Sequence, residues 1–134
     1  MSRREVLWHL AVQSERIDGV ALLRVVGRIS HATVPLLATP VEAAAGGGDH
    51  VVLDLTGVDY LNSAGLQVIE AAAARLAGSD RALIVCGVQD AVRPALDLAG
   101  PIPHLRLEAT VADALAHASS VSAPPEPPDP VRGV

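Results

Sequence analysis

The sequence predicts an α/β domain: a mixed β-sheet that opens with an N-terminal hairpin, continues in alternating βα units and carries its helices mainly on one face. Three observations lead there. Short apolar runs rich in β-branched residues recur at residues 20–26, 51–55 and 82–86, and nearly continuous apolar runs of that length mark strands buried on both faces. The segments between them place apolar residues at helical intervals. The pair Asp18-Gly19 separates the first two extended segments, and such a pair is a strong local marker of a hairpin turn.

The elements follow in order. Residues 6–16, with Leu7 and Val12, are loosely extended, and the run from Val20 ends at Gly27. Ser30 then reads as the N-cap of a first helix, on which Val34, Leu37, Val41 and Ala44 share a face. Pro35 suits a first turn, whereas Pro40 predicts a kink or a break near Ala38. The glycines 46–48 end this helix; without a following Lys-Ser/Thr they form a turn and no phosphate-binding loop. After the strand at 51–55 comes a short loop, in which Val58, Tyr60 and Leu61 anchor against the core. Leu66, Ile69, Ala73 and Leu76 mark a second helix that stops at Gly78. A strand at 82–86 is followed by a short helix at 91–99, with Pro94 in its first turn and Gly100 at its end. Residues 105–107 give the last strand. Thr110 caps a final helix through His117, with Val111, Ala114, Leu115 and Ala118 turned inward.

From Ser119 the composition changes. Five of the ten prolines fall within residues 124–130, and such a segment cannot build a core. The expected organisation is one domain over residues 1–118 and a disordered proline-rich tail over 119–134.

Composition narrows the function. The chain has 134 residues, of which 50% are hydrophobic, enough for one core; with one Trp, one Tyr and no Phe, that core is aliphatic. A net charge of −5 and scattered basic residues lack the basic stripe of a nucleic-acid binder. No apolar run reaches the roughly 18 residues of a membrane span, and the N-terminus lacks the layout of a signal peptide, so a soluble, cytoplasmic protein is expected. Cys86, the single cysteine, excludes an internal disulfide and reads as a buried hydrophobe. His9, His31, His50, His104 and His117 form no metal-ligand spacing, and Ser63 lacks the Gly-x-Ser-x-Gly frame of a hydrolase. No catalytic residue, metal, cofactor or small-molecule substrate is expected; the chain reads as a binding protein and not an enzyme.

The informative stretch is VVLDLTGVDYLNSAGL, residues 51–66. A buried strand ends near Leu55, and Asn62-Ser63 opens a helix, where side-chain oxygens satisfy the free N–H groups of the first turn. Ala64 and Gly65 are small enough for another surface to approach the backbone. A hydroxyl at this position is by default a cap. It has a second capacity: a phosphate on it would sit at the positive end of the helix dipole, tolerated by the fold, while its charge of about −1.5 to −2 repels a partner packed there.

This stretch closely resembles the signature of STAS domains, a family named for sulphate transporters and anti-sigma antagonists. Gly27-Arg28-Ile29-Ser30 resembles the family's Gly-x-Leu/Ile-acid step, and residues 82–88 followed by 92–100 resemble its later strand and helix, so that the likeness covers residues 6–118. The resemblance implies the STAS fold and, for a free-standing bacterial member, an anti-sigma factor antagonist. Such a protein binds an anti-sigma factor that is also a GHKL-type serine kinase, frees the sigma factor, and is switched off when the serine after Asp/Asn is phosphorylated. Carried across, Ser63 is the phosphoacceptor, and Asn62, Ala64, Gly65 and Leu66 line the contact patch with Ser63 itself. Ser30 and His31 join it from the earlier turn. Two positions depart from the pattern: Asn62 replaces the commoner Asp, and Ser30 stands where many members carry an acid beside the phosphoacceptor. If that acid aligns the hydroxyl for transfer, this chain is a poorer kinase substrate. An alternative within the family is an accessory subunit of a lipid-transport ATP-binding cassette complex, or another STAS interaction module without a phospho-switch. Because the tail contributes no core residue, deletion of residues 121–134 is expected to leave the melting temperature nearly unchanged in a calorimetric scan.

Overall fold

A computed structural model describes residues 10–122. Leu7 and Trp8, at the start of the predicted first strand, and residues 123–134 of the predicted tail lie outside the described residues. In chain order the elements are β1 (Ala11–Ile17), β2 (Val20–Ile29), α1 (Val34–Ala45), β3 (His50–Leu61), α2 (Ser63–Ala77), β4 (Leu83–Cys86), α3 (Arg93–Ala99), β5 (Leu105–Glu108) and α4 (Val111–Ser122). The five strands form one sheet in the order β1-β2-β3-β4-β5. β1 and β2 run antiparallel and all later pairs run parallel. Asp18 (φ 49°) and Gly19 (φ 80°) make the hairpin turn, and two consecutive positive φ values give the twist that matches the strands they join.

Strand order explains the placement of the helices. Each parallel strand lies beside the one before it, so right-handed crossovers carry α1, α2 and α3 over the same face. There Leu23, Val25 and Ile29 of β2 and Val51, Leu53 and Leu55 of β3 meet Leu37 and Val41 of α1 and Ile69, Ala73 and Leu76 of α2. α4 packs on the opposite face, against Leu22, Val52, Ile84 and Cys86. Side chains alternate across a strand, so Val51 and Leu53 serve one layer while Val52 serves the other. Both layers are apolar, which is why these strands read as continuous hydrophobic runs.

The structure corrects the sequence reading at several points. β2 passes through Gly27 (φ 128°) to Ile29, and β3 continues to Leu61 in place of the predicted loop. Their pairing survives two register shifts, between Arg24 and Val26 and between Gly27 and Arg28. Gly57 permits this: a Cβ there would run into the Val26 side chain and the Val25 carbonyl, so the bulged strands stay close only without one. Val58 and Leu61 are buried as expected, but Tyr60 is 40% exposed. Its ring instead carries the Arg28 guanidinium, 4.5 Å above its centroid, a cation–π contact.

α1 runs unbroken through Pro40. The ring removes the bond to the Leu36 carbonyl, and the helix is anchored on either side of it by the buried Leu37 and Val41. Thr33 rather than Ser30 occupies the N-cap position of α1. The chain first turns out of β2 through Thr33 N–H and Val34 N–H bonds to the Ser30 carbonyl, 3.1 and 2.8 Å, while the buried Thr33 Oγ1 accepts from Ser30 N and donates to the Arg28 carbonyl. At the other end, Thr110 Oγ1 caps α4 by accepting from Asp113 N at 3.0 Å. α4 extends to Ser122, beyond both the predicted end at His117 and the predicted domain boundary at 119.

Leu37 joins α1 to this core and is fully buried. Leu37→Ala is expected to lower unfolding stability by ~2–5 kcal/mol, read as a lower midpoint in urea denaturation with an unchanged slope.

Candidate functional site: the N-terminus of α2

The site is assembled where β2 and β3 end together. Ile29 pairs with Leu61, and one residue on, Asn62 N–H donates to the Ile29 carbonyl at 3.1 Å. The turn carrying Ser30 and His31 is thereby brought beside the start of α2. In sheets with parallel strands this carboxyl edge is the usual location of function.

Asn62 is the N-cap of α2. Its backbone is extended (φ −104°, ψ −177°) and its Oδ1 accepts from Gly65 N at 3.1 Å. Its carbonyl accepts the first helical bond, from Leu66 N at 3.1 Å. Ser63 is the first residue of the helix and is exposed. Because Asn62 does the capping, the backbone does not require the Ser63 hydroxyl. The Ser63 and Ala64 N–H groups, at the first two helical positions, have no partner inside the helix. A phosphate attached at Ser63 Oγ meets donors and the positive end of the dipole there.

The predicted patch residues divide by exposure. Ser63 and His31 are exposed, while Asn62, Ala64, Leu66 and Ser30 are partly buried. Gly65 is buried, and its missing side chain serves the interior: a Cβ would collide with the side chains of Leu61 and Ile29. The close approach that its smallness allows is therefore between α2 and the strand ends, and not with an outside surface.

A groove between α2 and α3 runs from Ser63. Leu61, Asn62, Ser63, Leu66, Gln67 and Glu70 form one wall; Ala95, Leu98 and Ala99 form the other. Leu98 is 89% exposed, and the sequence reading passed over it. The available clue was its spacing from Leu96, which is buried: residues two apart on a helix face different ways. On the other side of α2, Ala64, Gln67 and Val68 face Val34, Pro35 and Ala38 of α1 across a second apolar groove. Glu70 is the one charged residue lining the Ser63 groove, so a phosphate there would change the charge of a nearly neutral surface.

Among the described residues, no group of three His, Cys, Asp or Glu side chains is placed to hold a metal ion, and no helix is long and apolar enough to cross a membrane. Cys86 is buried under α4; burial first, then Asp54 and Glu108, push its thiol up to about 12, which keeps it protonated and unreactive. Asp54 Oδ1 accepts from Thr56 N and Oγ1, fixing the strand where β3 begins to bulge.

Comparison with known proteins identifies the family. The model of the STAS domain matches residues 11–114. The chain belongs to the STAS domain family. Among its relatives is BtrV of Bordetella bronchiseptica, named as an anti-sigma factor antagonist, which is 31% identical over 87 residues spanning 64% of this chain and 75% of that protein. The crystal structure of an anti-sigma factor antagonist from Mycobacterium paratuberculosis is 29% identical, with a TM-score of 0.76 over 82% of this chain and 94% of that one. A STAS domain protein from Planctomyces limnophilus shares the fold at 17% identity, with a TM-score of 0.70 over 80% and 96% of the two chains.

The candidate site thus rests on a glycine fixed by internal packing. Gly65→Ala gains helix propensity, about 1 kcal/mol, but overpacks Leu61 and Ile29, at a cost of about 1–3 kcal/mol. Net destabilisation is expected, seen as a lower melting temperature, together with a changed amide environment at Asn62 in NMR spectra.

Proposed function

We propose that this STAS protein is an anti-sigma factor antagonist, which binds a GHKL-type serine kinase acting as anti-sigma factor and so frees the sigma factor. In this reading phosphorylation of Ser63 ends the complex. The observation that carries it is the division of labour at the start of α2: Asn62 satisfies the helix while Ser63 presents an unencumbered hydroxyl at the mouth of an apolar groove. Two relatives named as anti-sigma factor antagonists support the same reading. The contact surface comprises Ser63, the exposed edges of Asn62, Ala64 and Leu66, the turn at Ser30 and His31, and Leu98 across the groove. Gly65 supports this surface from inside, by letting α2 sit close to Leu61 and Ile29. The protein acts in the cytoplasm and performs no catalysis of its own.

The switch is electrostatic. Phosphoryl transfer from the kinase's ATP forms a bond from Ser63 Oγ to phosphorus, releases ADP and leaves about −1.5 to −2 charges on a surface whose groove otherwise holds only Glu70. A partner seated there must desolvate that charge or leave.

The test is capture from the native host with wild-type, Ser63→Ala and Ser63→Glu baits, read by mass spectrometry and followed by calorimetric titration of the captured kinase. Wild type and Ser63→Ala are expected to bind alike, with Ser63→Ala refusing phosphate. Ser63→Glu is expected to bind at least about a hundredfold more weakly, ~3 kcal/mol. Equal affinity of all three, or capture of a transporter ATPase by all three, refutes the switch and leaves the fold assignment intact.

A further inference from the structure

At the opposite end of the sheet from Ser63, an imidazole is built into the seam under α4. His50 opens β3 and is only 8% exposed. It pairs with Val20 of β2 and shares a face with Val52, two residues on, and therefore with the layer that α4 covers. Its Nδ1 accepts the Ala82 backbone N–H at 3.0 Å, so the ring's proton is on Nε2. Together with the Val51 N–H bond to the Ala82 carbonyl, 3.1 Å, this ties the start of β3 to the entrance of β4.

Charged groups approach from each neighbouring element. Asp49 precedes His50 and is ion-paired with Arg16 of β1 at 2.8 Å. Arg81 lies in the segment entering β4, and His117 comes from α4 itself. Burial first, then Arg81, disfavour a charged His50, Asp49 favours it, and His117 opposes it again; the outcome lies below the usual value of 6.5. α4 holds the sheet chiefly through small side chains: Ala114 and Ala118 are buried, and Val111 and Leu115 are only partly so. An element held through few large buried side chains can open locally without unfolding the domain.

We propose that His50 is a proton-operated latch for α4: with Nδ1 bare the helix stays docked, and proton uptake in mild acid detaches it, uncovering Leu22, Val52 and Ile84. A proton on Nδ1 turns the acceptor into a donor that faces the Ala82 N–H, itself a donor. The ring must then swing out, and a second positive charge confronts Arg81 and His117. The direction follows from linkage. The docked form binds its proton more weakly than the open form, so docking is complete above about 6.5 and is lost as pH falls through the lower value of the docked state. The latch does not depend on the Ser63 reading. β3 alone separates the two sites by its 12 residues, on the order of 40 Å of strand.

The experiment is an NMR titration of the full chain from about pH 8 to about pH 5, a range that brackets the imidazole. It follows the Ala114 and Ala118 methyls, the Ala82 amide, the His50 ring nitrogens and, as a core reference, the Leu53 amide. The expected result is one shared midpoint below 6.5 for the first four reporters, with Leu53 unchanged. His50→Asn supplies a non-titrating acceptor for Ala82 and is expected to keep α4 docked throughout. His117→Ala is expected to move the midpoint upward. Flat methyl signals, a transition that persists in His50→Asn, a His50 midpoint that differs from that of the methyls, or loss of Leu53 in the same step would each overturn the latch.

Discussion

The parallel pairing of β2 with β3 is the constraint on which the rest of the molecule depends. It runs through two bulges and ends with Ile29 beside Leu61. The next bond, from Asn62 N–H to the Ile29 carbonyl, sets the chain's exit from β3. Only with that exit fixed does Asn62 adopt the extended backbone of a cap, and only then does Ser63 fall on the exposed first position of α2. The same pairing stacks Val25 and Ile29 beside Leu55 and Leu61 in the principal core. Stability and the geometry of the candidate site thus share one ladder of hydrogen bonds, and a weakened ladder would misplace the serine before it unfolded the domain.

Much of this was legible in the sequence, because each local preference agreed with the final fold. The apolar runs at 51–55 and 82–86 are buried on both faces, so their pattern needed no knowledge of partners. Asp18-Gly19, Asn62, Gly78 and Thr110 sit at the turns and helix ends that their backbone chemistry favours. The failures arose where tertiary context decided. Pro40 stays inside α1 because Leu37 and Val41, on either side of it, are buried in the core. Residues 56–61 remain in β3 because β2 continues alongside them. Tyr60 stays outside because Arg28 offers its ring a surface partner. Thr33 takes the cap expected of Ser30 because a turn intervenes, and no periodicity announces a turn of that kind.

The site shows the same division. That Asn62-Ser63 opens a helix was legible in the order of residues, since capping is local; the role proposed for Ser63 came from the family resemblance. Gly65 was not legible in this way: its role is set by Leu61 before it and by Ile29, far away in sequence, and only their convergence shows that the missing Cβ faces inward. Leu98 escaped for a similar reason. Its exposure matters because α3 stands across from the start of α2, and that proximity is a property of the crossovers, not of the local pattern.

Five strands in an open sheet leave two edges. β5 has only 4 residues, too few to template a lengthy pairing. β1 is longer, and its residues are mostly exposed. Edges of this kind recruit strands from other molecules unless charge or shape deters them. On β1 the deterrents are Glu15 and Arg16, adjacent in the chain and on opposite faces. Glu15 lies 3.3 Å from Arg24 and Arg16 lies 2.8 Å from Asp49. A strand added along β1 would bring its own side chains beside a charge on each face. The hairpin that opens the fold therefore also carries the charges that guard its edge, on residues that contribute almost nothing to the core.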